Sequence, residues 1–163
     1  MGVTEAGGLR AGTVKSALGI GSLLADGIGD TLRVSLTADV VEEVRAGREL
    51  LRVFGLDTRG SVEVISCPTC GRTKIDLIGL AARFKEAVKD IDTKGKTVKV
   101  AVMGCVVNGP GEARDADFGI AGGDGFAVLF RHGETVCRVE EDQIVERLLS
   151  ETYQFLDAEV ENT

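Results

Sequence analysis

The sequence is most informative at Met103-Gly104-Cys105-Val106-Val107-Asn108-Gly109-Pro110-Gly111-Glu112. This segment follows the apolar run 98–102, which is typical of a buried strand, and is itself rich in Gly and Pro. Upstream, the apolar run 62–66 leads into Cys67-Pro68-Thr69-Cys70-Gly71 in the same way. Loops held by a rigid scaffold are where binding and catalytic residues concentrate. We therefore predict that two strand ends bring three thiols toward one place.

The composition is that of a globular protein, with 163 residues of which 44% are hydrophobic. This length suits one ordinary domain, or one small domain and part of another. The net charge of −7 argues against a nucleic-acid-binding protein, which needs a basic face. The sequence shows neither a run of apolar residues long enough to span a membrane nor a signal peptide. We therefore expect a cytoplasmic protein.

Apolar periodicity predicts an α/β fold, because helical and strand patterns alternate along the chain. The predicted helices cover 13–26, 40–54, 75–91 and 141–156, and the predicted strands cover 31–36, 62–66, 98–103, 118–120, 126–130 and 135–139. Within the last two helices we expect Ile78 and Tyr153 to contribute to the core. Residues 2–8 are typical of a strand end and its loop, so we expect the chain to start inside a domain. A domain boundary is predicted near residue 57.

The cysteines allow three interpretations. A zinc site usually has four protein ligands, often as two Cys-x-x-Cys pairs, and a second pair is missing here. A redox dithiol would use Cys67 and Cys70 alone, and Pro68 inside the motif suits it. An iron–sulfur cluster would take thiolates as ligands, with glycine-rich loops offering N–H groups to the sulfurs.

The residues alone do not identify a fourth ligand. Cys137 lies in a predicted strand, where a lone cysteine is more often a small buried hydrophobic residue. Glu112 ends the loop that begins at Cys105, and its carboxylate could reach the same centre, although an exposed loop acid is the simpler interpretation. His132, the only histidine, is predicted to be an exposed turn residue beside Gly133.

Several motifs in order resemble the 4-hydroxy-3-methylbut-2-enyl diphosphate synthase family, iron–sulfur reductases of the non-mevalonate isoprenoid pathway. The similar segments are Gly2-Val3-Thr4-Glu5-Ala6-Gly7, Lys15-Ser16-Ala17, Asp26 to Leu36, Ser66 to Thr73 and Met103 to Glu112. The resemblance implies that the chain is the C-terminal portion of such a protein. Residues 1–57 would be the last two βα units of a (β/α)8 barrel, and 58–163 a small sulfite-reductase-like iron–sulfur domain.

The resemblance also implies a cofactor, a 4Fe-4S cluster. Cys67, Cys70 and Cys105 match the three cysteines that hold it. Glu112 matches a glutamate that serves as fourth ligand and yields its iron to the substrate. Asn108 matches a polar residue beside the substrate oxygen.

In the barrel part, Glu5 matches an acid–base residue, and Arg33 and Ser35 match residues that hold the diphosphate. The implied reaction is reductive ring opening of 2-C-methyl-D-erythritol 2,4-cyclodiphosphate with electrons from ferredoxin or flavodoxin. The family's cluster domain closes over the barrel of another subunit, so a homodimer or a complementing barrel chain is expected. The alternative is a stand-alone iron–sulfur or zinc module that transfers electrons or stabilises the fold without catalysis.

Overall fold

A computed structural model describes residues 1–107, 111 and 113–158. The chain divides into two compact units, Met1–Thr58 and Arg59–Thr163. The elements are α1 (Leu9–Ala25), α2 (Val40–Val53), β1 (Ser61–Ser66), α3 (Leu77–Val88), β2 (Thr97–Met103), β3 (Phe118–Gly122), β4 (Phe126–Arg131), β5 (Glu134–Glu140), a 3-10 turn (Glu141–Gln143) and α4 (Ile144–Ala158). No helix in these described ranges is long and apolar enough to cross a membrane.

In the first unit, the predicted strand 31–36 is wrong. Instead, two isolated parallel bridges, Gly2↔Arg33 and Gly8↔Thr37, align the two extended segments. The bridges are six residues apart in the first segment and four in the second. The two extra residues of the first segment form a bulge around Glu5, whose φ of 55° is in the left-handed region. That bulge interrupts the ladder, so no continuous strand forms.

Helix α2 corresponds to the helix predicted at 40–54, and specific residues mark both of its ends. Asp39 caps it by accepting a hydrogen bond from the Val41 N–H at 2.8 Å. In its first turn, the Glu43 carboxylate accepts the Leu36 N–H at 2.8 Å, which ties the helix to the extended segment before it. Gly55, with a φ of +67°, follows the C-terminal end.

The second unit is built on a five-stranded sheet in the order β1-β2-β3-β4-β5. The pairs β1–β2 and β2–β3 are parallel, whereas β3–β4 and β4–β5 are antiparallel. Ser66 pairs with Val102, and Met103 pairs with Ala121. The carboxyl ends of β1, β2 and β3 therefore meet at one side of the sheet. We call this side the cysteine edge and define it by residues 67–76, 104–107 and 123–125.

Helices α3 and α4 cover one face of the sheet. The buried stripe of α3 consists of Leu77, Leu80, Phe84 and Val88. Because Ile78 lies about 100° around the helix from Leu77, it is 70% exposed, and its predicted burial is wrong. Tyr153 of α4 is 53% exposed, and its predicted burial is also wrong.

The opposite face of the sheet packs against residues 113–116, which follow β2 in the chain. Its core consists of Ala101, Met103, Ala113, Ala116, Ala121 and Phe130. Gly119 of β3 has no room for a side chain, because a Cβ there would lie 2.4 Å from the Ala101 carbonyl oxygen. Glycine at this position therefore leaves room for Ala101 and for the Phe130 ring, whose Cζ would lie 2.8 Å from such a Cβ.

We expect Phe84→Ala to lower the free energy of unfolding by roughly 3–5 kcal/mol, because the ring is fully buried. Ile78→Ala on the same helix is the matched control, with an expected cost of about 0.5 kcal/mol or less. Urea unfolding followed by far-UV circular dichroism measures both. Equal destabilisation by the two substitutions would contradict the assignment of the buried stripe.

Candidate functional site

Two neighbouring strand ends hold the cysteines of the cysteine edge. Cys67 directly follows β1, and Cys105 follows β2 by one residue, Gly104. Since β1 and β2 are adjacent and parallel, their following loops begin side by side. The sequence-based expectation of two strand ends delivering cysteines to one edge therefore agrees with the sheet.

Gly104 connects the two loops through its backbone. Its N–H donates a hydrogen bond to Cys67 Sγ at 3.3 Å. Its carbonyl oxygen accepts one from the Lys74 N–H at 3.1 Å. Both ends of the Cys67–Lys74 loop are thus fixed to the residue that precedes Cys105.

Thr73 explains why residue 104 is a glycine. A Cβ at Gly104 would lie 2.8 Å from Thr73 Oγ1 and 2.9 Å from Thr73 Cγ2. The same Oγ1 accepts the Cys70 N–H at 3.2 Å, and the Thr73 N–H donates to the Cys70 carbonyl at 3.0 Å. Sequence reasoning did not single out Thr73 or Gly104, because their contact joins residues 31 positions apart. The one sequence signal that could have found Gly104 is its place directly before Cys105.

The thiols differ in exposure. Cys70 is exposed, Cys67 is half-buried and Cys105 is buried, and all three are free of disulfide bonds. Among residues 1–107, 111 and 113–158, no group of three or more His, Cys, Asp or Glu side chains is arranged to hold a metal ion. The predicted site residues Asn108 and Glu112 lie outside the described residues. The ligand role of the cysteines therefore stays a prediction.

The other predicted site residues belong to the first unit. Arg33 is exposed and forms the bridge with Gly2, and Ser35 is half-buried two residues further on. Glu5 is exposed on the bulge between the two bridges. The parallel alignment of their segments brings these residues into one region of that unit, and their roles remain predictions.

Two residues that sequence reasoning set aside occupy the expected environments. Cys137 of β5 is half-buried and packs against the core under the helices. His132 is exposed in the turn between β4 and β5, with a φ of 48°. Neither residue lies in the loops of the cysteine edge.

Two family models match the chain in succession. Residues 1–48 match the GcpE TIM-barrel domain, and residues 63–154 match the GcpE protein C-terminal domain. The barrel match covers the first unit's α1 and part of α2, and the second match covers the sheet from residue 63 of β1 onward.

Curated relatives carry one name, 4-hydroxy-3-methylbut-2-en-1-yl diphosphate synthase (flavodoxin). The relative from Clostridium acetobutylicum is 58% identical over 151 residues, which cover 93% of this chain and 42% of the relative. The relative from Fusobacterium nucleatum is 60% identical over 148 residues, which cover 91% of this chain and 41% of the relative. The chain thus spans about two fifths of the length of these relatives. The resemblance drawn from the sequence is confirmed, and the chain belongs to the GcpE family.

Proposed function

We propose that this chain supplies the iron–sulfur part of a 4-hydroxy-3-methylbut-2-en-1-yl diphosphate synthase. In this proposal, residues 1–57 belong to a (β/α)8 substrate-binding barrel, and 58–163 form a sulfite-reductase-like cluster domain. The two family matches and the names of the relatives support it. The thiols of Cys67, Cys70 and Cys105 suit a cytoplasmic setting, where cysteines stay reduced.

The link through Gly104 is the observation that carries the proposal. It joins the loop containing Cys67 and Cys70 to the loop containing Cys105, so the three cysteines belong to loops that are connected at one edge. Thiolates are the usual ligands of iron–sulfur clusters, and an N–H that donates to a ligand sulfur is a typical second contact. The donor set therefore fits a 4Fe-4S cluster in its chemistry.

Cys67, Cys70 and Cys105 would hold the cluster, with Glu112 as an exchangeable fourth ligand. When bound, a 4Fe-4S cluster supplies one-electron transfer and an iron that acts as a Lewis acid. The Gly104 N–H would partly neutralise charge on the Cys67 sulfur. Asn108 would lie beside the substrate oxygen.

The proposed substrate is 2-C-methyl-D-erythritol 2,4-cyclodiphosphate. The reaction breaks a ring C–O bond to the diphosphate and removes one hydroxyl as water. With both diphosphates counted as free acids, it consumes two electrons and two protons per substrate. Arg33 would bind diphosphate oxygens through its planar guanidinium, Ser35 would donate its hydroxyl to them, and Glu5 would move a proton.

The proposed electron donor is a flavodoxin, as in the names of the relatives, with ferredoxin as the alternative carrier. The proposed assembly is a homodimer or a complex with a complementing barrel chain. In either assembly, another chain would complete the substrate site.

Anaerobic reconstitution with iron and sulfide tests the function. Visible and electron paramagnetic resonance spectra are recorded with and without the cyclodiphosphate. A 4Fe-4S signal that substrate perturbs supports the enzyme. A cluster whose spectra do not change when substrate is added, even with a barrel chain supplied, would favour a stand-alone electron-transfer module. Stoichiometric zinc in place of iron would overturn both cluster interpretations.

We expect Cys67→Ala, Cys70→Ala and Cys105→Ala each to lower cluster affinity by more than the ~10–100-fold that removal of a residue hydrogen-bonded to a metal ligand typically costs, so that little cluster remains. Cys137→Ala is the matched control and should retain the cluster, since Cys137 packs against the core on β5. Iron and acid-labile sulfide per chain are the measurement. Loss of the cluster in the control alone would refute the assigned ligand set.

We also expect Gly104→Ala to disconnect the two loops, because its Cβ would meet Thr73 at 2.8 Å. The hydrogen bond from Lys74 N–H should weaken, so this amide should exchange with deuterium faster in the cluster-free protein. Loss of a hydrogen bond worth about 1 kcal/mol corresponds to a roughly fivefold increase in the exchange rate. Gly71→Ala in the same loop is the control, because a Cβ there meets nothing within 4 Å. Unchanged exchange in Gly104→Ala would disprove the link.

A further inference from the structure

An apolar side chain protrudes beside the cysteine loop, at the start of α3. Ile78 is 70% exposed in the first turn of the helix, two residues after the cap residue Asp76. Ala82 and Lys85 follow it at spacings of four and seven residues, which places all three along one exposed side of α3. Ile78 and Lys85 are about 10 Å apart along the axis, at 1.5 Å per residue.

The same stretch is basic in an acidic chain. Residues 67–85 contain four basic side chains and a single carboxylate, Asp76, whereas the whole chain carries a net charge of −7. The Asp76 carboxylate accepts the Gly79 N–H at 3.0 Å, and the Asp76 N–H donates to the Glu141 carboxylate at 3.2 Å, so both acids at the helix start are engaged with its backbone. Lys74 and Lys85 are exposed. Across the described part of the chain, no ion pair involves either lysine.

The most accessible thiol of the candidate site belongs to this basic stretch. Cys70 is exposed and lies two residues before Arg72, which is also exposed. Lys74 is hydrogen-bonded through its backbone to Gly104, which in turn contacts Cys67. A partner protein seated on Lys74 and Ile78 would therefore lie close to the thiols.

We propose that Arg72, Lys74, Ile78 and Lys85 form the docking face for an acidic one-electron carrier protein of the flavodoxin type. This inference rests on the proposed function and adds the surface that the carrier uses. An apolar anchor within a charged rim is the usual layout of a protein interface, and the rim charge mainly sets the rate of encounter. The basic rim complements a carrier with an acidic surface around its flavin.

The number of electrons that each substrate needs determines how often the carrier must bind to and leave this face. At each encounter the carrier loses one electron and the chain gains one, so each substrate requires two encounters. A carrier that leaves between the two transfers needs a face that binds quickly and releases quickly. Exposed charge around one modest apolar anchor has that character, because surface ion pairs speed association while adding little affinity.

Charge reversal tests the face. The variants are Lys74→Glu and Lys85→Glu, and Arg138→Glu on β5 is the control for the change in net charge; its exposed side chain pairs with Glu140 and lies over the Phe126 ring, away from the cysteine loops. The probe is a purified, dithionite-reduced flavodoxin mixed in stopped flow with the reconstituted chain. Each lysine variant should slow electron transfer about 3–10-fold at low salt, with the difference disappearing near 0.5 M salt. Ile78→Ala should slow it at both salt concentrations.

Further measurements separate this inference from the proposed function. The final extent of cluster reduction by dithionite alone should be unchanged in all variants. Binding of oxidised flavodoxin to the cluster-free chain, followed by flavin fluorescence, tests docking even if no cluster forms. Lysine variants that behave like Arg138→Glu would overturn the docking face. Equal loss of binding to vesicles of anionic lipid would also overturn it, because the face would then recognise negative charge in general.

Discussion

Parallel pairing of β1 with β2 is the constraint on which the candidate site depends. Parallel neighbours must run in the same direction, so the chain crosses from one strand end back to the next strand start through α3. This crossing buries the stripe of α3 against the sheet. It also leaves both strands ending at the same side, where each delivers cysteine. The position of the thiols is thus a result of strand direction and helix packing together.

The backbone of Gly104 then turns this coarse placement into a specific contact. A glycine lets Thr73 approach the chain within a distance that no side chain at position 104 would tolerate. Thr73 in turn accepts the Cys70 N–H, so a single side chain relates the spacing within Cys-x-x-Cys to the neighbouring strand. The loop is therefore organised by small residues and backbone polar groups.

The sequence was sufficient to predict features that depend on local patterns. Strand ends at Ser66 and Met103, the helix α2 and the family all follow from apolar runs, caps and motifs. Ile78 was placed in the core because it is apolar, directly follows Leu77 and lies three residues before Ala81, so the apolar pattern alone does not show which side of the stripe is exposed. The predicted strand at 31–36 does not form because the segment that pairs with it contains the bulge around Glu5. That bulge cannot be read from residues 31–36 themselves. The contact between Thr73 and Gly104 depends on tertiary packing, which a linear pattern does not encode.

The strand order of the second unit has a consequence for folding. The β3–β4–β5 part is a meander of antiparallel neighbours joined by short turns, whereas β1 and β2 are joined by a crossover of 30 residues. Local hairpins form faster than non-local parallel pairs, because less loop-closure entropy must be overcome. We therefore expect the hairpin half to form first and the cysteine loops to meet last. During that interval the three thiols are separated, so a ligand that needs both cysteine loops binds only after the crossover has closed.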